Sequence, residues 1–262
     1  MVMRNIKAKR IVVKIGTNVM TGINGALDLD LIKNLVQQIS KIKKVGKELL
    51  IITSGAIGAG MKELSLKSRP KDVTMQQVCA AIGQNILMSN YQSMFKKHGI
   101  KVAQILLSYE NFLNKKTCHN LQNSLNKLLD LGVIPIINEN DPISIDEIGP
   151  SFGDNDIMSA LIASKIKADL LVILTNVDGL FDKNPSSKKA ILIKGVKNID
   201  RNIESLGGRP NGLGLGGMKT KIKAAKIATG EEVTVVIANG RNDNILIDIV
   251  NNKEAGTIFY PK

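Results

Sequence analysis

Six short apolar runs, separated by longer segments with helical spacing, constrain the fold of this chain more than any other feature. Most of the runs are continuously apolar rather than alternating, which is typical of strands buried on both faces of a mostly parallel sheet. Between the first two, Leu31, Leu35, Ile39 and Ile42 share one helical face, and Gly46 follows as a stop. Strands that alternate with helices predict an α/β fold, here a three-layer α/β/α sandwich with a mostly parallel central sheet. The runs are RIVVKI (10–15), ELLIIT (48–53), VAQILL (102–107), VIPIIN (133–138), LLVILT (170–175) and VTVVIA (233–238).

Composition and charge argue against several classes of protein. No apolar run reaches the roughly 18 residues of a membrane span. The basic start of the chain also lacks the apolar segment of a signal peptide, so we expect a cytoplasmic protein without a membrane partner. The net charge is +13, but lysine supplies nearly all of it, and aromatic residues make up only 3% of the chain. Because arginine and aromatic side chains are the usual readers of phosphates and bases, we expect a solvated lysine surface and no nucleic-acid partner.

A lysine interrupts the first predicted strand. Lys14 stands among apolar residues, and Gly16 and Thr17 follow at the turn. A lysine in a buried strand is costly unless it meets an anion, so Lys14 is a candidate anion-binding residue. A lysine on an edge strand that reaches solvent would explain the same sequence.

Small residues follow the second predicted strand, in the stretch TSGAIGAGM (53–61). Such residues at the start of a helix allow backbone N–H groups to approach an anion. Ligands of open α/β sheets bind at the carboxyl ends of the strands, where Ser54 and Gly55 would lie beside Lys14. A tight strand-to-helix turn is the simpler alternative.

An acidic, loop-rich region, NENDPISIDEIGPSFGDND (138–156), separates two buried strands and is a candidate functional loop. Asp154, Asn155 and Asp156 stand at the start of the next helical pattern, where any one of them would serve as a cap. Asp154 and Asp156, together with Glu139 and Asp141, supply more acidic groups than capping requires. The region therefore predicts a nearby cation, which would be a substrate ammonium group, a lysine or Mg²⁺.

A glycine-rich stretch, NGLGLGGMKTKIKAA (211–225), leads into a helical pattern. It is similar to the phosphate loop G-x-x-x-x-G-K-[ST], but Met218 stands where that motif needs lysine, so the chain is not a P-loop enzyme. Lys219, Lys221 and Lys223 crowd the first two turns, where the helix dipole disfavours positive charge. A bound polyphosphate would remove this conflict. A flexible loop ahead of a lysine-rich surface helix is the alternative.

Six stretches occur in the order seen in the amino acid kinase family, which the chain resembles over nearly its whole length. They are VVKIGTN, TSGAIGAGM, INENDPI, FGDND, LLVILTNVDGLF and GLGLGGMKTK. The forms TSGAI, INEND and GGMKTK are most similar to those of members that phosphorylate L-glutamate. The resemblance implies phosphoryl transfer from ATP, with Mg²⁺, to the side-chain carboxylate of L-glutamate. The product would be L-glutamyl 5-phosphate, the first intermediate of proline biosynthesis.

The resemblance also implies roles for individual residues. Lys14 and Lys221 would neutralise the transferring phosphoryl group, and Asp156 would orient them. The implied contacts to glutamate are Ser54, Gly55, Asp141 and Asn155. The implied contacts to ATP are Lys14, Gly16, Thr175, Asn176, Leu215, Gly216, Gly217, Met218, Lys219, Thr220 and Lys221. No residue is assigned as a direct metal ligand.

The resemblance further implies a single amino acid kinase domain over residues 1–262. Its first half, about 1–150, would hold glutamate, and its second half, about 151–262, would hold ATP. Many relatives continue into a C-terminal PUA domain, which we expect to be absent here. Implied partners are a homo-oligomer (dimer or tetramer), proline as a feedback inhibitor, and glutamate-5-semialdehyde dehydrogenase as the recipient of the product.

The chain departs from the family's pattern at Asn18, Asn176 and Leu215, where serine, aspartate and threonine are common. These changes concern the nucleotide contacts rather than the chemistry. One alternative is a kinase for N-acetylglutamate, aspartate, carbamate or UMP, against which INEND and TSGAI argue. Another is a nucleotide-binding regulatory protein without catalysis, against which the intact set of two lysines and one aspartate argues.

Overall fold

The computed structural model describes residues 4–22, 26–143, 155–208 and 217–262. Its strands are β1 (Arg10–Ile15), β2 (Glu48–Ile52), β3 (Val102–Leu107), β4 (Ile134–Glu139), β5 (Leu170–Thr175), β6 (Gly195–Val196), β7 (Thr234–Asn239) and β8 (Thr257–Phe259). Its helices are α1 (Thr17–Met20), α2 (Leu29–Lys44), α3 (Ala56–Glu63), α4 (Val73–Lys96), α5 (Glu110–Leu113), α6 (Lys115–Asp130), α7 (Asn155–Lys165), α8 (Arg201–Ser205), α9 (Met218–Thr229) and α10 (Ile245–Val250).

The strands form one sheet of eight strands in the order β3-β4-β2-β1-β5-β7-β8-β6. Its pairs are parallel except for β7 and β8, which run antiparallel. All six predicted strands are present, each within one residue of its predicted bounds. The prediction missed β6 and β8, which have two and three residues and are too short to show a pattern.

Helices cover both faces of the sheet, which confirms the three-layer sandwich. Successive residues of a strand point to opposite faces, so Ile11, Val13 and Ile15 enter one core and Val12 enters the other. The first core is completed by side chains of α2, α4 and α10. The second core is completed by side chains of α6, α7 and α9. Burial on both sides explains why the strand sequences are continuously apolar.

Two glycines allow helices α3 and α4 to pack backbone against backbone. A Cβ atom added at Gly60 would lie 1.8 Å from the carbonyl oxygen of Cys79. One added at Gly83 would lie 1.9 Å from the carbonyl oxygen of Ala56. Because real Cβ atoms do not come this close, only glycine fits at either position. The contact fixes the first turn of α3 at the carboxyl end of β2.

The two predicted halves share one continuous sheet, because β1 from the first half pairs with β5 from the second. The edge formed by the carboxyl ends of β1, β2, β4 and β5 therefore brings together residues from both halves. Over the described ranges, no helix combines the length and the apolar character needed to cross a bilayer.

Candidate active site

A cavity of about 1260 Å³ opens at the carboxyl ends of the central strands. This is the edge where ligands of open α/β sheets bind, and the volume is large enough for more than one small ligand. Residues from four strand ends reach it. They are Lys14 and Gly16 at the end of β1, Ser54 and Gly55 after β2, Asn138, Glu139 and Asp141 around the end of β4, and Thr175 and Asn176 at the end of β5.

A buried cluster of two lysines and one aspartate lies at the centre of this edge. Lys14 Nζ is 2.5 Å from Oδ1 of Asp156, and Lys221 Nζ is 2.9 Å from Oδ2 of the same carboxylate. Exposure is 5% for Lys14, 6% for Lys221 and 0% for Asp156. The sequence prediction that Lys14 meets an anion is consistent with this contact, and the anion is the protein's own carboxylate.

The environment of Asp156 keeps its side chain ionised. Burial alone would raise the pKa of Asp156, but the charges of Lys14 and Lys221 and their hydrogen bonds outweigh burial and hold the pKa well below its usual range. The hydroxyl of Thr220 donates a further hydrogen bond of 2.9 Å to Oδ2. One carboxylate thus fixes the positions of two lysines that come from β1 and from the first turn of α9.

Asn155, the neighbour of Asp156, is held against the end of β2. Its Nδ2 atom donates to the Thr53 carbonyl oxygen at 2.7 Å, to Ser54 Oγ at 2.9 Å and to Asn138 Oδ1 at 3.1 Å. Gly55 follows with φ of 100°, a left-handed conformation that favours glycine, and it caps helix α3. The predicted glutamate contacts Ser54, Gly55 and Asn155 are therefore neighbours.

Two acidic residues line the cavity at the end of β4. Glu139 is 9% exposed and is the last residue of the strand. Asp141 follows two residues later, and both side chains line the cavity. Most of the predicted acidic loop, residues 144–154, lies outside the described residues.

The predicted nucleotide contacts are only partly together. Gly16, Thr175, Asn176, Gly217, Met218 and Lys221 line the cavity. Lys219 and Thr220 do not line it; Lys219 is exposed, and Thr220 contacts Asp156. The reason is helical geometry, because successive residues of α9 point in directions about 100° apart. Leu215 and Gly216 lie outside the described residues.

The cavity also contains residues that the sequence prediction did not select. Asn138 lines it and contacts Asn155, but a single polar residue at the end of an apolar run gave no distinct signal. Lys67 and Arg69, between α3 and α4, and Lys183, after β5, contribute positive charge at the exposed rim. In a chain with so many lysines, these residues do not stand out in the sequence.

Comparisons with known proteins show the family and the fold of the chain. The model of the amino acid kinase family matches residues 9–239. The chain is 48% identical over 259 residues to glutamate 5-kinase of Methanosarcina barkeri. The matched region covers 95% of this chain and 68% of that protein. It is 44% identical over 255 residues to glutamate 5-kinase of Clostridium acetobutylicum. That match covers 97% of this chain and 95% of the relative. The solved structure of carbamate kinase from Giardia lamblia bound to AMP-PNP shares the fold, with a TM-score of 0.69 and 16% sequence identity. The superposition covers 98% of this chain and 99% of that chain.

Proposed function

Because this chain belongs to the amino acid kinase family, we propose that it catalyses the glutamate 5-kinase reaction. In that reaction, the γ-phosphoryl group of ATP is transferred to the side-chain carboxylate of L-glutamate. The observation that carries the proposal is the contact of Lys14 and Lys221 with one buried carboxylate, at a cavity lined by both halves of the chain. The family resemblance read from the sequence is confirmed.

The reaction needs positive charge more than it needs a base. A glutamate side chain has a pKa of about 4.3 and is already ionised at neutral pH, so no residue has to remove a proton. The barrier arises because an anionic carboxylate must approach an anionic phosphate. Positioned cations and backbone N–H groups lower this barrier. In this proposal, Lys14 and Lys221 neutralise the transferring group, which is the role that the family resemblance implied for them.

Asp156 has a positioning role in this proposal. The three side chains carry a net charge of +1, so the cluster remains attractive to an anion while each lysine keeps a defined position. An unpaired lysine in so buried a place would favour its neutral form. Asp156 therefore supplies the counter-charge for both buried lysines and holds them at defined positions.

The side of the cavity formed by the ends of β2 and β4, which we call the acceptor side, suits an amino acid. Glu139 and Asp141 supply negative charge that would attract an α-ammonium group. Ser54 Oγ, the Asn155 amide and the backbone at Gly55 supply hydrogen-bonding groups close to the lysine cluster. We assign glutamate to this side, which belongs to the first half of the chain apart from Asn155, and ATP to the side formed by β5 and α9.

ATP and Mg²⁺ fit the donor groups that are present. A Cβ atom at Gly16 would lie 3.2 Å from the Leu174 carbonyl oxygen and 3.5 Å from Lys14 Nζ, so glycine leaves room for a phosphate beside that lysine. Over the described residues, there is no group of three or more His, Cys, Asp or Glu side chains that could cage a metal. Mg²⁺ commonly binds through substrate phosphates with few protein carboxylates, and here it would neutralise phosphate charge.

The remaining predicted partners are kept as part of the proposal. These are a homo-oligomer, inhibition by proline, and delivery of the product to glutamate-5-semialdehyde dehydrogenase. A kinase for N-acetylglutamate, aspartate, carbamate or UMP is the alternative within the family. The two glutamate 5-kinases named above, which are 48% and 44% identical to the chain, favour glutamate over each of these acceptors.

A hydroxylamine trap tests the proposal directly. The purified chain is incubated with ATP, Mg²⁺ and hydroxylamine, which converts an acyl phosphate to a hydroxamate that is measured as its coloured complex with Fe³⁺. L-Glutamate, N-acetylglutamate and L-aspartate are compared at equal concentration. We expect hydroxamate to form with L-glutamate at least about tenfold faster than with the others, because a site built for one acceptor's polar groups strongly rejects mismatches. An equal or greater rate with either competitor would contradict the glutamate assignment.

A further inference from the structure

A chain of three side-chain amides runs from helix α4 to the cavity. Asn138 Nδ2 donates to Gln84 Oε1 at 2.9 Å, and Asn155 Nδ2 donates to Asn138 Oδ1 at 3.1 Å. Gln84 is 6% exposed and Asn138 is 2% exposed, so water cannot replace these partners easily. Gln84 does not line the cavity, and it reaches Asn155 only through Asn138.

The Thr53 carbonyl group, at one end of this series of three hydrogen-bonded amides, fixes which way each amide faces. The Thr53 carbonyl oxygen can only accept, so the nitrogen of Asn155 must face it at 2.7 Å. The neighbouring amide of Asn138 must then present its oxygen to that nitrogen and its nitrogen to Gln84. Turning any one of the three amides would place two donors or two acceptors against each other.

This order determines which atom Asn155 can offer to a ligand. Its nitrogen is taken up by three oxygens, whereas its Oδ1 atom is buried and has no hydrogen-bond partner within the described ranges. A buried acceptor without a partner is costly, and binding of a donor would remove that cost. The α-ammonium group of an amino acid is such a donor.

Helix α4 supports Asn155 at a second point. The hydroxyl of Tyr91 lies 2.9 Å from Thr53 Oγ1, and Thr53 is the residue whose carbonyl accepts from Asn155. Tyr91 is two turns beyond Gln84 on the same helix and is 1% exposed. The helix is itself locked against α3 through Gly83. Two of the residues that accept from Asn155, Asn138 and Thr53, are therefore hydrogen-bonded to side chains of α4.

We propose that Gln84 is a positioning residue for the amino-acid substrate. It holds Asn138, which holds the Asn155 amide in the orientation that leaves its oxygen as the acceptor for the substrate's ammonium group. The assignment of that substrate rests on the proposed function, whereas the order of the amides rests on the structure alone. Gln84 touches no reacting atom and acts through two other side chains.

The test compares Gln84→Leu with Gln92→Leu, which makes the same change at an exposed position of the same helix. Removing the acceptor leaves a buried donor on Asn138, so the Asn138 side chain loses the contact that keeps its oxygen against the Asn155 nitrogen. We expect the KM for L-glutamate to rise about tenfold or more in Gln84→Leu. The KM for ATP and kcat should stay within about threefold, and Gln92→Leu should behave as the wild type.

The conservative variant and the pattern of constants separate positioning from a purely structural role. Gln84→Glu keeps an oxygen acceptor at the same distance along the side chain, so its KM for L-glutamate should rise less than that of Gln84→Leu. General loss of folded protein would lower the rate without changing one KM selectively. The proposal is overturned if Gln84→Leu leaves the KM for L-glutamate within twofold of that of Gln92→Leu, or raises both KM values equally.

A measurement without substrate separates this inference from the proposed function. The side-chain amide signals of Asn155 are identified in an NMR spectrum by their loss in Asn155→Ala. They should shift in Gln84→Leu and stay in place in Gln92→Leu. If the wild type forms no hydroxamate with L-glutamate, the proposed function fails, and this spectrum alone decides the order of the amides. Unshifted Asn155 amide signals in Gln84→Leu would overturn the inference that Gln84 orients Asn155.

Discussion

Lys221 donates a hydrogen bond of 2.9 Å to Asp156, although the two residues lie 65 positions apart in the chain. The contact joins the first turn of α9 to the first turn of α7 at the edge where β1 and β5 end. Lys14 occupies the other oxygen of the carboxylate. The reaction chemistry proposed above depends on this arrangement, because it gives two buried lysines one shared counter-charge.

Replacing Asp156 by asparagine should remove most of the activity. The amide keeps the shape of the carboxylate but leaves two buried lysines without a counter-charge. Because the positions of both transition-state donors would be lost, we expect kcat to fall by about a hundredfold or more. Asp130→Asn makes the same change at the exposed end of α6 and should leave kcat unchanged. The hydroxamate rate at saturating substrates measures both, and an Asp156→Asn variant with half the wild-type kcat would refute the role.

The stability that Asp156 contributes should depend on pH in a defined direction. Its pKa in the folded state lies below the ordinary value, about 3.9, that it has in the unfolded chain. Its contribution is therefore complete above the unfolded value and is lost as the pH falls toward the folded value. The difference in unfolding free energy between wild type and Asp156→Asn should be constant from about pH 5 to 7 and shrink below about pH 4. Urea unfolding at several pH values measures it, and a difference that grows on acidification would contradict the ion pairs.

Gly83→Ala should damage both stability and glutamate binding. The added Cβ would lie 1.9 Å from the Ala56 carbonyl oxygen, so α3 must move, and Ala56 lines the cavity. We expect a loss of about 1–3 kcal/mol of unfolding free energy and a higher KM for L-glutamate. Gly22→Ala is the control, since the nearest atom to its added Cβ is 4.0 Å away. Equal unfolding midpoints for the two variants would show that α3 and α4 are not closely packed.

Proline should inhibit by competing with L-glutamate. Its ammonium and carboxylate groups match those of the substrate, and Glu139 and Asp141 would attract either ammonium group. Millimolar L-proline should lower the rate at low L-glutamate, and saturating L-glutamate should restore it. D-Proline at the same concentration is the control. A rate at low L-glutamate that L-proline leaves unchanged would remove proline from the account.

The sheet and the charged centre of the site could be predicted from the sequence. Buried parallel strands are continuous apolar runs, and a lysine inside such a run has few stable arrangements other than contact with an anion. That argument selected Lys14, and the surplus of acidic groups before α7 selected Asp156. The family resemblance added Lys221, whose neighbours Lys219 and Lys223 carry the same charge and differ from it only in helical direction.

The side-chain amides of Gln84 and Asn138, which hold Asn155 in place, could not be predicted in the same way. Gln84 and Asn138 are 54 positions apart, and each is one polar residue in an otherwise ordinary helix or strand. Their function depends on the meeting of α4 with the end of β4, which only the folded chain shows. The backbone contact at Gly83 is similar, because a glycine inside a helical pattern does not reveal what packs against it.

The paired variants Lys221→Met and Lys223→Met test the central claim most directly. Lys221 is 6% exposed and contacts Asp156, whereas Lys223 is exposed on the same helix. Methionine keeps much of the lysine stem and a good helix propensity, so both variants should fold. In the hydroxamate assay with L-glutamate, we predict that kcat falls about a hundredfold or more for Lys221→Met and less than about threefold for Lys223→Met. Equal losses would mean that α9 is only a generally basic surface, and no loss in either would mean that Lys221 does not act on the transferring phosphoryl group.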